Sequence, residues 1–179
     1  MNQSLHSQMQ PIVFRNIRLK QPTFEELHYT KQLWEDEETM AFNAKWGGTV
    51  PFPREQWQSF YDRYCTNQPG YLYYQIFEES DDFVGEVSAR WDAHKKDYVL
   101  NIKVLSSKRG HHYGTNALIA FLHHLFTTHN ASRIIDDVAS ENIGAIALLQ
   151  RVGFQIIETD SIVTIMGLSK DEFERQKYR

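Results

Sequence analysis

Val104-Leu-Ser-Ser-Lys-Arg-Gly-His-His-Tyr-Gly-Thr115 and Asn142-Ile-Gly-Ala-Ile-Ala-Leu-Leu-Gln-Arg-Val-Gly-Phe154 are the stretches on which the reading of this chain turns. The first runs from a strand pattern straight into a helix pattern. Such a junction offers unpaired backbone N–H groups and the positive end of a helix dipole, a setting suited to a pyrophosphate. Gly110 and Gly114 let backbone approach a ligand, and Arg109 adds a fixed positive charge. Two other phosphate-binding patterns do not fit. The P-loop needs Gly-Lys-[Ser/Thr], and the dinucleotide fingerprint needs G-x-G-x-x-G with an acidic residue after the next strand; both are absent.

Working outward, residues 114–128 predict a helix with Ala117, Leu118, Phe121, Leu122 and Leu125 on one face. Residues 133–139 form a short apolar strand pattern that carries Asp136 and Asp137. Residues 142–152 predict a helix that Gly153 ends as its C′ residue. Strands follow over 155–158 and 162–168. The order strand–helix–strand implies a βαβ crossover and a parallel pair.

Upstream, 12–20 predicts one strand, broken at Gln21-Pro22-Thr23. Thr23 is placed as an N-cap, with Glu25 and Glu26 in the first turn of a helix reaching about residue 37. Gly47, Gly48, Pro51 and Pro53 make 45–53 a loop, and 54–66 predicts a second helix. Strand patterns over 71–78, 83–91 and 98–105 form an antiparallel meander. In the middle strand, Phe83, Gly85, Val87, Ala89 and Trp91 alternate with Val84, Glu86, Ser88 and Arg90. The fold class is therefore α+β (mixed α/β): a central mixed sheet, meander plus βαβ unit, with helices on both faces. Residues 1–10 are read as a disordered tail, 11–172 as a single domain and 173–179 as a charged tail.

Composition narrows the function classes. The 179 residues are 41% hydrophobic and 23% charged, with a formal net charge of -4. A protein that grips nucleic acid through phosphates carries a basic surface, so no nucleic-acid partner is expected. The single cysteine, Cys65, excludes an intrachain disulfide and fits a reducing compartment. The N-terminus has no apolar signal region, and no apolar run approaches the ~20 residues that span a bilayer. A cytoplasmic setting without membrane association is expected, as a monomer or homodimer.

Arg109-Gly110-His111-His112-Tyr113-Gly114 resembles the pyrophosphate loop of the GNAT N-acetyltransferases, Arg/Gln-x-x-Gly-x-Gly/Ala. Arg109 and Gly114 match its ends, and His112 replaces its middle glycine. Asn142, Ala145, Leu148, Gly153 and Phe154 are similar to that family's Asn-x-x-Ala-x-x-Leu-(Tyr)-x-x-x-Gly-Phe. The resemblance implies the GNAT fold, with acetyl-CoA as co-substrate wedged between two splayed parallel strands and no metal. It implies that backbone near Val104 and Leu105 binds the pantetheine arm and that Arg109, Gly110, His111, His112, Tyr113, Gly114 and Thr115 bind the pyrophosphate. Asn142 and Ala145 complete the cofactor site.

The implied reaction is transfer of an acetyl group to a primary amine of a small molecule or peptide, by direct attack in a ternary complex. A non-catalytic acyl-CoA-binding or regulatory module is the alternative. Leu149 stands where many family members carry the tyrosine acid, and leucine has no proton to donate. Candidates for the base are Glu86, Asp136 and Asp137. Alternation sends the two aspartates to opposite faces of their strand. Trp46, Phe52 and Trp57, around the Gly/Pro loop, are expected to shape the acceptor pocket. The histidines lack metal-ligand spacing and read as a solvated helix face.

Overall fold

The structure is a computed structural model, and it describes residues 10–176. Of the expected tails 1–10 and 173–179, residues 1–9 and 177–179 lie outside the described residues. A sheet of eight strands runs in the order β1-β2-β3-β4-β5-β6-β8-β7. Its strands are β1 (Ile12–Phe14), β2 (Ile17–Lys20), β3 (Tyr71–Glu78), β4 (Phe83–Asp92), β5 (Asp97–Val104), β6 (Arg133–Ala139), β7 (Gln155–Thr159) and β8 (Val163–Ser169). Helices α1 (Leu27–Glu35) and α2 (Trp57–Tyr64) precede β3, α3 (Tyr113–Thr128) links β5 to β6, and α4 (Ile143–Arg151) links β6 to β7. The mixed architecture agrees with the fold class read from the sequence.

Segment 12–20 is a hairpin rather than one strand. Arg15 takes a left-handed conformation (φ 51) and turns the chain. The turn is held from α3: Asn116 donates to Asn16 Oδ1 at 2.7 Å and accepts from Arg15 at 3.2 Å. Alternation also fails within β4. A bulge between Ile76 and Phe77 pairs Ile76 with Gly85 and Phe77 with Phe83, leaving Val84 as the extra residue. Val84 therefore joins Val87 and Ala89 in the core beneath α3, whereas Phe83 packs with Phe77, Leu33 and Leu105.

The two faces have different contents. Leu72, Tyr74, Ile76, Leu100 and Ile134 pack against Leu118, Phe121 and Leu122 of α3. On the opposite face Tyr73 packs with Leu27, Phe52, Trp57 and Phe60, beneath α1 and α2. Thr23 and Glu26 cap one another reciprocally, as a capping box does, just before α1 begins. The chain does not end at 172 as a charged tail. Ser169 and Glu172 form a capping box for α5 (Lys170–Arg175), and its Phe173 is buried against Phe126.

The feature that makes the site is a failure of pairing. β5 and β6 are parallel and pair only at Tyr98↔Ile134 and Val99↔Ile135. Beyond those two rungs β5 stays with β4 and β6 stays with β8. A wedge opens between Asn101–Val104 on one side and Asp136–Ala139 on the other. Its strand edges offer backbone donors and acceptors that no neighbouring strand takes.

Candidate active site

A cleft of about 520 Å³ fills this wedge and runs to the start of α3. Of the residues expected to hold the cofactor, Val104, Arg109, Gly110, His112, Tyr113, Gly114, Thr115, Asn142 and Ala145 line it. Leu105 and His111 do not. Leu105 turns into the Leu33–Phe77–Phe83 cluster, and His111 stacks beside Tyr113. Sequence reading missed Phe42, Ile102, Lys108, Leu148 and Arg151, which also form the wall. They are scattered along the chain and carry no common pattern.

The loop before α3 explains its own residues. His112 is the residue before the helix and has φ 62, the left-handed conformation. Histidine adopts that region more readily than β-branched residues do, so it replaces glycine there without a backbone rearrangement. Gly110, at φ 84, has open space where a Cβ would stand, which leaves bare backbone facing the cleft. Arg109 donates to Thr39 O at 3.0 Å and to Val104 O at 3.2 Å, tying the 3₁₀ segment Thr39–Trp46 beside the loop. Asn142 caps α4 by accepting from the Ala145 amide at 3.1 Å.

These residues fit an acyl-CoA. The first amides of α3 have no partner within the helix. Thr115 Oγ1 is buried without a hydrogen-bond partner among the described residues, and a phosphate oxygen would satisfy it. Lys103, Lys108, Arg109 and Arg151 line the cleft, with Lys103 paired to Glu86 and Lys108 to Glu78.

A second cleft, of about 340 Å³, opens on the opposite face of the sheet. Trp34, Phe60, Tyr64 and Tyr73 form its aromatic side, and Glu86, Ser88 and Arg90 its floor on β4. Asn101, Lys103, Asp136 and Asp137 belong to both clefts, so the wedge connects them. Trp46, Phe52 and Trp57 line neither. Phe52 and Trp57 are core residues that pack behind Trp34 and Phe60, and Trp46 ends its 3₁₀ segment half exposed. The aromatics on the cleft lie one layer nearer the sheet.

The three carboxylates differ sharply in surroundings. Glu86 is 1% exposed and accepts from three donors: Trp34 Nε1 at 2.9 Å, Lys103 Nζ at 2.7 Å and Tyr73 OH at 2.6 Å. Because Tyr73 donates its hydroxyl proton to Glu86, Thr30 Oγ1, 2.7 Å away, must donate to Tyr73. Burial, then the Glu86 charge, pushes the Tyr73 phenol well above its ordinary range, so it stays a donor. Asp137 is half-buried and pairs with Lys95 at 3.0 Å. Asp136 is buried, and no side-chain cation among the described residues binds its carboxylate. Burial, reinforced by the neighbouring Asp137 charge, raises its carboxyl from 3.8 to about 8.

That shift has a thermodynamic sign. The folded protein holds a proton on Asp136 that the unfolded chain releases above 3.8. The native state therefore binds more protons than the unfolded one, and this group's contribution falls as pH rises from about 4 to about 8. Asp136→Asn is expected to raise Tm at pH 9 by at least ~3 °C more than at pH 4. Parallel thermal melts of both proteins at the two pH values measure it; an equal shift at both would remove the buried, proton-holding assignment.

Other sequence features have plain structural places. The Cys65 thiol is buried, which pushes it up to about 12 and leaves it unreactive. Among the described residues no group of three or more His, Cys, Asp or Glu is placed to hold a metal, and no helix is long and apolar enough to cross a membrane. Leu149 is a core residue that also lines the first cleft.

A helix start with free amides, a splayed parallel pair and a second cleft joined to the first suit an acyl-CoA-dependent transferase. A family model described as "Acetyltransferase (GNAT) domain" matches residues 13–155. The chain belongs to the GNAT acetyltransferase family and is an acetyl-CoA-dependent N-acetyltransferase. No curated protein sequence matches it. Solved structures share the fold at low identity. A GNAT-family acetyltransferase from Bacillus anthracis has a TM-score of 0.74 at 13% identity, covering 91% of this chain and 100% of its own. A spermidine N-acetyltransferase from Vibrio cholerae, in complex with CoA and spermine, has 0.75 at 15%, covering 89% and 98%. An acetyltransferase from Agrobacterium tumefaciens has 0.71 at 14%, covering 95% and 100%.

Proposed function

We propose that this enzyme acetylates a primary amine of a small molecule or peptide that enters between Trp34, Tyr73 and Asn101, with Asp136 as the base. The reading rests chiefly on one observation: Asp136 stands where the two clefts meet, and no side-chain cation among the described residues occupies it. Glu86 is held by three donors, and Asp137 is held by Lys95. Glu86 therefore shapes the floor of the cleft and balances Lys103. The structural likeness to a spermidine acetyltransferase makes a polyamine one acceptor to test. A cytoplasmic setting belongs to the same reading.

Acetyl-CoA supplies an activated acyl group as a thioester. The loop 109–115 and the open edge of β5 would hold it, and the wedge would lead its reactive end toward the second cleft. The acceptor ammonium loses two protons overall as the C–N bond forms and the C–S bond breaks. Asp136 takes one of them, and water carries the other. A carboxyl that titrates near neutral pH can also return its proton to the departing sulfur, which supplies an acid where Leu149 has no proton. Thiol release is to be followed across a panel of monoamines, diamines, polyamines and amino-terminal peptides. Amine-dependent release from at least one class is expected. A flat rate across every class, with tight CoA binding, would overturn the proposal.

A further inference from the structure

The acceptor cleft contains two cations that proton transfer does not need. Lys103 bonds to Glu86 and to Asn101 Oδ1, each at 2.7 Å, and lies 5.6 Å from the Trp34 ring centre. It offsets the Glu86 charge. Lys95 likewise offsets Asp137. Arg90 remains, on the cleft floor and half exposed. It makes one long ion pair, with Asp92 at 3.7 Å, and no hydrogen bond to that carboxylate. A cleft built to hold a polycation needs a surplus of carboxylate along its length. Here Glu86 is matched by Lys103 and Asp137 by Lys95 from outside the cleft, Asp136 is left for proton transfer, and the far end of the floor presents a guanidinium.

Resting on the reading of this cleft as the acceptor site, we propose that the acceptor is an amine that also bears a carboxylate, and that Arg90 binds the carboxylate and sets this specificity. Glu86, Ser88 and Arg90 lie on one face of β4, and Ser88 pairs with Asn101 of β5. Arg90 is two residues beyond that rung, about 7 Å at the usual strand rise. The amine belongs at the Asn101–Asp136 end, where the wedge opens. The carboxylate must therefore stand several bonds from the nitrogen. An ω-amino acid or the side-chain amine of a lysine derivative has that reach, and a simple α-amino acid does not. The guanidinium fork binds carboxylate in bidentate fashion, which ammonium or hydroxyl groups cannot reproduce.

The test uses 4-aminobutyrate, 6-aminohexanoate and 8-aminooctanoate beside hexylamine, 1,6-diaminohexane and spermidine. At least one ω-amino acid is expected to exceed hexylamine by about tenfold in kcat/KM, mainly through KM, as one charge-assisted contact allows. Arg90→Gln should bring that ratio to within about twofold of one, and Arg90→Lys should restore part of it. Calorimetry gives a readout independent of turnover: 6-acetamidohexanoate should bind the CoA-loaded protein more tightly than N-hexylacetamide, and lose that advantage in Arg90→Gln. A thermal melt and a CoA titration establish that the variant is folded. Preference for spermidine or hexylamine would overturn the inference and leave the transferase reading standing, as would an Arg90→Gln variant that keeps the ratio. No thiol release with any amine would instead overturn that reading, and equal binding of the two amides would then overturn the inference as well.

Discussion

Asp136→Asn is expected to lower kcat by about 10²- to 10⁴-fold, the usual weight of a positioned base, while CoA affinity changes little. Asparagine keeps the size of the side chain and cannot take the proton. Wild-type kcat/KM for the acceptor should rise along an acid limb with an apparent pKa near 8, and the residual activity of the variant should lack that limb. The parallel variants separate the three carboxylates. Asp137→Asn removes a half-exposed partner of Lys95 and should cost little. Glu86→Gln leaves Lys103 and Tyr73 with a changed partner on the cleft floor, so its loss should appear in KM as well as kcat. Full turnover by Asp136→Asn, with loss confined to Asp137→Asn, would move the base to the exposed face of the strand.

Gly85→Ala should destabilise the fold by about 3 kcal/mol or more, lowering Tm by roughly 6–12 °C. A Cβ at this position would stand 2.1 Å from the backbone oxygen of Lys103, a contact no small adjustment relieves. Gly85 pairs with Val104, and the Leu105 amide donates to Val84 O at 2.9 Å next to it. The methyl group must push β4 away from β5 at Val104, the far end of the wedge that opens after Val99. CoA binding should weaken along with stability. Gly144→Ala provides the contrast: it lies in α4, its Cβ would meet nothing closer than 3.8 Å, and alanine favours helix. Chemical denaturation of wild type and the two variants decides it; a Gly85→Ala variant as stable as wild type would show that the close approach of the two strands is not held in solution.

Much of the fold was legible because its signals are local. The boundaries of β3 and β6 agree with the read segments to the residue. Gly153, at φ 103, ends α4 as the glycine predicted. The departures also have local causes that pattern does not reveal. A left-handed Arg15 turns one strand into two, and a bulge opposite Ile76 shifts Val84 into the core. Alternation assumes an unbroken pleat, and a single extra residue reverses the faces beyond it.

The cofactor loop could be read from order alone because a strand end, a glycine-bearing turn and a helix start are consecutive in the chain. Backbone amides and a helix dipole are what suit that loop to a pyrophosphate, and both follow from local conformation. The acceptor cleft is assembled differently. Trp34 comes from α1, Phe60 from α2, Tyr73 from β3, Arg90 from β4 and Asp136 from β6. Sequence named Trp46, Phe52 and Trp57 for this role because they surround a Gly/Pro loop, yet two of them are the packing behind the wall. Which aromatic faces a cleft, and which carboxylate a lysine neutralises, depends on contacts between residues far apart in the chain. Pattern limited the base to Glu86, Asp136 and Asp137. The proposal of Asp136 among them rests on its burial and on the partners of the other two, and those exist only once β5 and β6 have paired for two rungs and parted.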